Sequence, residues 1–175
     1  QSVKQFTRDW HSSRIPLWRE VFRPWVLAPA VRGLEIGSFE GRSACWLLDN
    51  VLTGAAARLE CVDCWRDATI EQRFDANTSS YGERLVKHKA LSLTWLSNRV
   101  AEGARNIYDF VYVDGSHEAA DALADVVLSW ELLKPRGLLL FDDYRWKKPH
   151  IQRPPRMAID GFLRAHADWE LVHRG

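Results

Sequence analysis

The chain has 175 residues, of which 46% are hydrophobic, and its formal net charge at pH 7 is +1. One compact core can be built from a chain of this size, and a second domain is not needed. The near-neutral charge excludes the overall electrostatic signature of a nucleic-acid-binding protein. No apolar run reaches the length of a membrane span, and no signal peptide is recognisable, so we expect a cytoplasmic location and no membrane partner.

The first 30 residues read as a helical lead, or cap, rich in tryptophan and interrupted by Pro16 and Pro24. Residues 31–175 then form the main domain. Three cysteines, Cys45, Cys61 and Cys64, make an odd set without a second metal-ligand pair. We therefore predict free thiols in a reducing compartment and no disulfide framework.

The segment Gly33–Ser43 predicts a strand that ends in a ligand-binding turn and leads into a helix. Gly37 and Gly41 allow the backbone to approach a ligand closely, and the free N–H groups of the first helical turn favour a carboxylate or phosphate. Glu35 is expected to offer a fixed negative charge to an ammonium group. A site with both signs suits a zwitterionic amino acid better than a pyrophosphate.

Asp63 ends the next apolar segment, which begins at Leu59. A carboxylate at the end of the second parallel strand is where ribose hydroxyls are bound in nucleotide folds, about 20 residues after the glycines. The glycine spacing is G-x-x-x-G, which differs from the G-x-G-x-x-G of dinucleotide folds.

The remaining pattern alternates strands and helices, after a polar stretch at 66–82 that we interpret as a long loop. The predicted elements are strand 86–91, helix 93–104, strand 108–114, helix 119–133, turn 134–137, strand 137–141, helix 158–167 and a further extended segment 169–173. This order predicts an α/β fold with a doubly wound, mostly parallel sheet and helices on both faces.

Three motifs, at 34–43 (LEIGSFEGRS), 113–117 (VDGSH) and 141–144 (FDDY), resemble those of the class I S-adenosylmethionine (SAM)-dependent methyltransferases. More narrowly, they resemble the small-molecule and sugar O-methyltransferase branch, methyltransferase family 24. This resemblance implies a Rossmann-like fold that binds SAM and closes with an antiparallel hairpin. Because the chain ends where the first hairpin arm forms, we expect the last strand to be missing or supplied by a partner chain, as in a homo-oligomer.

Three acids follow the fourth and fifth strands and are expected to converge: Asp114, Asp142 and Asp143. Two carboxylates about 4 Å apart repel by roughly 4 kcal/mol at an effective dielectric near 20, a cost that a proton or a cation offsets. Oxygen ligands suit Mg²⁺, with Mn²⁺ second, and the resemblance implies such a site. The alternative is that Asp143 only bonds loop backbone.

His117 lies three residues after Asp114, at the mouth of the same strand. We predict that this imidazole removes the proton of the acceptor hydroxyl, with Asp114 also in the catalytic group. A metal ligand or a packing residue at the helix start are the alternatives.

Further residues are assigned to the cofactor and acceptor sites. Ser38, Ser43 and the N–H groups near Gly41 are expected around the methionine carboxylate, and Ser92 near the adenine, with Asp114 close to the cofactor. The acceptor cavity is predicted to be lined by Trp10, Asn77, Tyr144 and Trp146, since aromatic faces bind sugar and aryl rings.

The resemblance implies methyl transfer to a hydroxyl of a small molecule, with a sugar or glycan favoured and a phenolic or catechol-like acceptor as the alternative. A nicotinamide-dependent dehydrogenase using Tyr144 and Lys148 is disfavoured, because that spacing should lie on a helix. A non-catalytic SAM-fold module is disfavoured because Asp114, His117 and Asp142 are all present.

Overall fold

The computed structural model describes residues 3–146, 152–166 and 168–173. Five parallel strands form one sheet in the order β3-β2-β1-β4-β5. The strands are β1 (Arg32–Ile36), β2 (Arg58–Asp63), β3 (Leu85–Lys89), β4 (Tyr108–Val113) and β5 (Leu133–Phe141). The α-helices are α1 (Ile15–Val21), α2 (Arg42–Asn50), α3 (Ala68–Thr78), α4 (Ser92–Ala101), α5 (Ala119–Leu132) and α6 (Pro155–Ala165).

Both faces of the sheet are covered by helices, as the alternating pattern predicts. Successive residues of a strand point to opposite faces of the sheet. On one face, Leu34 and Ile36 pack with Leu96 of α4. On the other face, Phe110 packs with Leu47 of α2. The doubly wound α/β architecture is therefore confirmed, and all five described strands are parallel. Parallel strands place the residues that follow β1, β2, β4 and β5 along one edge of the sheet.

The N-terminal lead is built into the main core. Trp18 of α1 and Phe22 are almost completely buried and lie in the cluster that contains Phe110 of β4. Trp18 also packs edge-on against Tyr112, with ring centroids 4.9 Å apart. This packing holds the segment before α1 close to the carboxyl edge of the sheet.

The prediction of a long loop at 66–82 is wrong, because most of this segment forms α3 and a 3-10 helix, Ser79–Arg84. The Asp67 side chain caps α3 by accepting a hydrogen bond from the Thr69 N–H. Phe74 is buried, but its neighbours on the buried side are polar, Asn77 and Thr78. An apolar periodicity therefore could not reveal this helix.

The C-terminal elements also differ in detail from the prediction. Helix α6 begins earlier, at Pro155, and strand β5 includes the predicted turn, where Arg136 has φ +65° and the register with β4 shifts. Residues 168–173 have no regular secondary structure, so the predicted hairpin arm is not formed there. None of the helices in the described ranges is long and apolar enough to cross a bilayer.

Candidate active site

The turn between β1 and α2 is shaped by two glycines in the left-handed region, Gly37 at φ +83° and Gly41 at φ +82°. A Cβ on Gly37 would lie 2.0 Å from the carbonyl oxygen of Asp114, so only glycine permits this approach of the β1 and β4 loops. Gly41 precedes the first residue of α2. The predicted strand, turn and helix are thus present, with the helix N-terminus at the carboxyl edge of the sheet.

Glu35 is completely buried, and its predicted contact with an ammonium group, or with a water bound to one, stays a prediction. Its carboxyl oxygens accept hydrogen bonds from the hydroxyls of Ser38, at 2.6 Å, and Ser43. Burial raises the pKa of Glu35, which favours the neutral form despite these bonds. The side chain points to the face opposite Leu34 and Ile36, and there it fixes both ends of the glycine turn.

Asp63 clamps the same turn from β2. One carboxylate oxygen accepts the backbone N–H groups of Ser38 and Phe39, both at 2.9 Å, and the other accepts the N–H of Trp65 at 2.9 Å. Hydrogen bonds from three backbone N–H groups to one side chain fix the position of both carboxylate oxygens. Asp63 therefore sets the turn conformation, and its contact with a ribose stays a prediction.

Asp114 and Asp142 meet at the hydroxyl of Tyr112, which lies 3.0 Å from Asp114 Oδ2 and 2.9 Å from Asp142 Oδ2. Burial, together with the charges of Asp142 and Asp143, raises the pKa of Asp114 well above its usual value. Because a phenol has one proton, this geometry fits a protonated Asp114 that donates to Tyr112, while Tyr112 donates to Asp142. Asp142 also accepts hydrogen bonds from Nε, at 2.8 Å, and Nη2 of Arg14.

His117 and Asp143 form the second pair at this edge, with His117 Nε2 and Asp143 Oδ2 2.8 Å apart. The imidazole also stacks on Trp146, with ring centroids 4.4 Å apart and an interplanar angle of 23°. About two fifths of the His117 side chain is exposed, so it remains accessible to a ligand. Asp143 has φ +59°, a left-handed conformation that turns the residue after Asp142 toward His117.

The remaining predicted site residues lie on different elements of the structure. Ser92 is the first residue of α4, after β3, as expected for the cofactor edge. Trp10 is largely exposed and its ring lies 5.2 Å from that of Phe39 in the glycine turn. The Tyr144 hydroxyl donates to Asp160 of α6 at 2.9 Å.

Asn77 is held inside the protein by hydrogen bonds, and its assignment to the acceptor site stays a prediction. It is buried, and its amide donates to the carbonyl oxygens of Gln5, at 2.8 Å, and Glu40, at 2.9 Å. Its oxygen accepts the Gln5 N–H at 2.8 Å. Because α3 forms in place of the predicted loop, Asn77 turns inward and ties the N-terminal lead to the glycine turn.

The sequence did not indicate three residues that the structure places at the site. Arg14 and Tyr112 complete the acidic edge, which consists of Asp114, Asp142 and Asp143 at the ends of β4 and β5. Glu40 in the glycine turn accepts hydrogen bonds from the Thr7 N–H and hydroxyl, the latter at 2.8 Å. No motif carries Arg14, which pairs with a residue 128 positions away. Tyr112 had a signal in the sequence. It lies near the end of β4, two residues before Asp114, and residues two apart on a strand point to the same face.

The carboxylates of the acidic edge already have partners within the protein. Among residues 3–146, 152–166 and 168–173, no three His, Cys, Asp or Glu side chains are grouped as metal ligands. Asp142 already accepts Arg14 and Tyr112, and Asp143 pairs with His117. The predicted Mg²⁺ or Mn²⁺ site at Asp114, Asp142 and Asp143 stays a prediction. Lys148, the second residue of the dehydrogenase alternative, lies outside the described residues.

A parallel sheet with a glycine turn after β1 and acids at the carboxyl ends of β2, β4 and β5 is the arrangement of the class I SAM-dependent methyltransferases. The chain belongs to the family described as "Methyltransferase domain", whose model matches residues 34–144. That range includes all three motifs, at 34–43, 113–117 and 141–144. No functionally curated protein is similar enough in sequence to match.

Solved structures of methyltransferases share this fold at low sequence identity. The O-methyltransferase from Bacillus cereus, in complex with SAH (S-adenosylhomocysteine), is 16% identical, with a TM-score of 0.69 over 93% of this chain and 71% of that one. TomG from Streptomyces achromogenes, an O-methyltransferase of tomaymycin synthesis in complex with SAM, is 19% identical, with a TM-score of 0.68 over 87% and 70%. The methyltransferase MycE of the mycinamycin pathway, in complex with Mg, SAH and mycinamycin VI, is 17% identical, with a TM-score of 0.62 over 90% and 43%.

Proposed function

We propose that this methyltransferase moves the methyl group of SAM to a hydroxyl oxygen of a small molecule. The observation that carries the proposal is the His117–Asp143 pair at the same sheet edge as the glycine turn. A base held by a carboxylate beside a cofactor turn is what oxygen methylation requires, since a hydroxyl must lose its proton during the transfer.

The residues around the turn fit the cofactor in their chemistry. Gly37 keeps the β1 and β4 loops close together, and the N-terminus of α2 suits the methionine carboxylate. Asp63 would lie beside the ribose hydroxyls, and Ser92 would lie beside the adenine. SAM, when bound, supplies a methyl group already activated by the sulfonium charge.

The protein's own tasks are then to orient the acceptor and to remove one proton. His117 takes the proton from the acceptor hydroxyl, while Asp143 orients the ring and stabilises the resulting imidazolium. Trp146 fixes the other side of the ring by stacking. The acceptor oxygen forms the new bond to carbon as the bond between sulfur and that carbon breaks.

A sugar or glycan hydroxyl is the acceptor that we favour, on the resemblance of the motifs to the sugar branch. The exposed face of Trp10 beside the glycine turn suits the apolar face of a sugar ring. A phenolic or catechol-like hydroxyl is the alternative. A screen of the purified protein with labelled SAM against sugar and phenol acceptors separates the two.

Calorimetric titration with SAM, SAH and NAD tests the cofactor. We expect SAM and SAH to bind and NAD not to bind; tight NAD binding without SAM binding contradicts the proposal. Asp63→Asn should raise the Kd for SAM at least about tenfold, because hydrogen bonds to a charged group contribute about 1.5–3 kcal/mol each. The matched control is Asp67→Asn, which changes a capping carboxylate at the start of α3 and should leave the SAM affinity unchanged. An unaltered affinity in Asp63→Asn would show that the cofactor turn is misassigned.

A further inference from the structure

The acidic edge contains three carboxyl groups within a few residues of the strand ends, so it needs positive charge nearby. Asp143 pairs with the imidazole of His117, and Asp142 is bound by the guanidinium of Arg14, which always carries a positive charge. The Asp142 side chain is 11% exposed, and at this burial an unpaired carboxylate is costly. The guanidinium is therefore the permanent cation at this edge.

Arg14 reaches the edge because the N-terminal lead is anchored in the core. It closes the 3-10 helix Ser12–Arg14 just before α1, whose Trp18 is buried against Tyr112. Its Nη1 donates to the carbonyl oxygen of Trp10 at 2.8 Å, which fixes the guanidinium plane from the other side. Both Nε and Nη2 point at the same oxygen of Asp142.

The guanidinium retains capacity for a ligand. Of its five N–H donors, three are used by Asp142 and by the Trp10 carbonyl in the part of the chain that the structure describes, which leaves two. One third of the side chain is exposed, so these donors are accessible. A positive charge with available donors is what an acceptor oxygen needs as it loses its proton.

We infer that Arg14 occupies the place of a divalent metal ion at this acidic edge, so that the protein binds its acceptor without Mg²⁺ or Mn²⁺. Arg14 neutralises Asp142 and directs two N–H donors toward the acceptor oxygen. The acceptor role rests on the proposed function, whereas the exclusion of the metal ion can be tested on the protein without any acceptor.

Titration of the purified protein with Mn²⁺, followed by electron paramagnetic resonance, measures the metal site directly. We expect no specific Mn²⁺ binding to the wild type. Arg14→Gln leaves Asp142 without its cation and should gain a Mn²⁺ site at least about tenfold tighter than any site in the wild type, since carboxylate oxygens are preferred ligands of this ion. The double variant Arg14→Gln with Asp142→Asn should lose that site again.

Two control variants make the measurement specific. Arg19→Gln removes an exposed arginine from the adjoining helix α1 and should not create a Mn²⁺ site. Arg14→Lys keeps a cation at the position and should bind no Mn²⁺. This variant still tests the inference if Arg14→Gln does not fold. Thermal melts and SAM calorimetry on each variant report the fold and the cofactor site separately.

A specific Mn²⁺ site in the wild type that Asp142→Asn abolishes would overturn the inference. The inference is also overturned if a folded Arg14→Gln variant gains no Mn²⁺ site. A third contrary result would be that Arg14→Lys binds Mn²⁺ while the wild type does not. Failure of the proposed function has a different signature, because SAM would then not bind to the wild type whatever the result with Mn²⁺.

Discussion

Replacing Gly37 by alanine tests the close approach of the β1 and β4 loops on which the site is built. The new Cβ would lie 2.0 Å from the Asp114 carbonyl oxygen and 2.9 Å from the Cα of Gly115. Both neighbours are backbone, so neither can rotate away as a side chain would. The two loops must therefore separate by about 1 Å, the kind of displacement that overpacking a dense interior produces.

The free energy has two parts, which a second glycine separates. A left-handed conformation costs a residue with a Cβ about 1–2 kcal/mol. Gly103 has φ +86°, close to the +83° of Gly37, but a Cβ there meets nothing within 4 Å. Gly103→Ala should therefore lose only this conformational part. Gly37→Ala should lose a further 1–3 kcal/mol or so from the clash, which makes about 4 kcal/mol in all.

Chemical denaturation of the two variants and the wild type gives both free energies of unfolding. Thermal unfolding gives a second measure, since the melting temperature of a chain of this length shifts by about 2–4 °C per kcal/mol. The melting temperature of Gly37→Ala should lie roughly 10 °C or more below that of the wild type, and that of Gly103→Ala about half as far below or less. SAM affinity should fall in Gly37→Ala and remain unchanged in Gly103→Ala. Equal losses in the two variants would refute the reasoning, because the clash would then contribute nothing.

Two buried titratable groups give predictions of opposite sign. Burial lowers the pKa of His11 to about 4, and its ring nitrogens have no hydrogen-bond partner among the described residues. Because the unfolded chain then binds a proton more readily than the folded one, stability is lost as the pH falls from about 6.5 toward 4. His11→Phe should keep the edge contact with Trp18, add about 1–3 kcal/mol at pH 7 and remove this acid loss; an unchanged pH profile of unfolding would contradict it. Burial raises the pKa of Asp125 to about 6, so its charged form destabilises the fold as pH rises from about 4 to 6. Asp125→Asn should flatten that decline and add on the order of 3 kcal/mol at pH 7, measured by urea unfolding, and a loss of stability there would show that the carboxylate has a stabilising partner.

The sequence predicted the architecture because the signals involved are local. Glycines at 37 and 41, followed by apolar residues at helical spacing, specify a strand, a turn and a helix without reference to the rest of the chain. The acids Asp63, Asp114 and Asp142 follow apolar strands, and parallel topology alone then brings them to one edge. The family match over residues 34–144 covers the same segments.

What the sequence could not show depends on polar burial and on distant pairing. Helix α3 buries Asn77 and Thr78 through hydrogen bonds, so its buried face has no apolar stripe, although Asp67 in front of it is a capping signal that could have been used. Glu35 looked like an available charge because its sequence neighbours do not reveal that Ser38 and Ser43 fold back onto it. Arg14 is the clearest case, since its partner is 128 residues away.

The N-terminal lead connects these observations. Its buried Trp18 fixes the start of α1, its Thr7 and Gln5 bind Glu40 and Asn77 next to the glycine turn, and its Arg14 binds Asp142. One segment therefore contacts both the cofactor side and the acceptor side of the candidate site. Because the same anchor supports both contacts, loosening it should weaken SAM binding and uncover Asp142 together, whereas Arg14→Gln affects only the second.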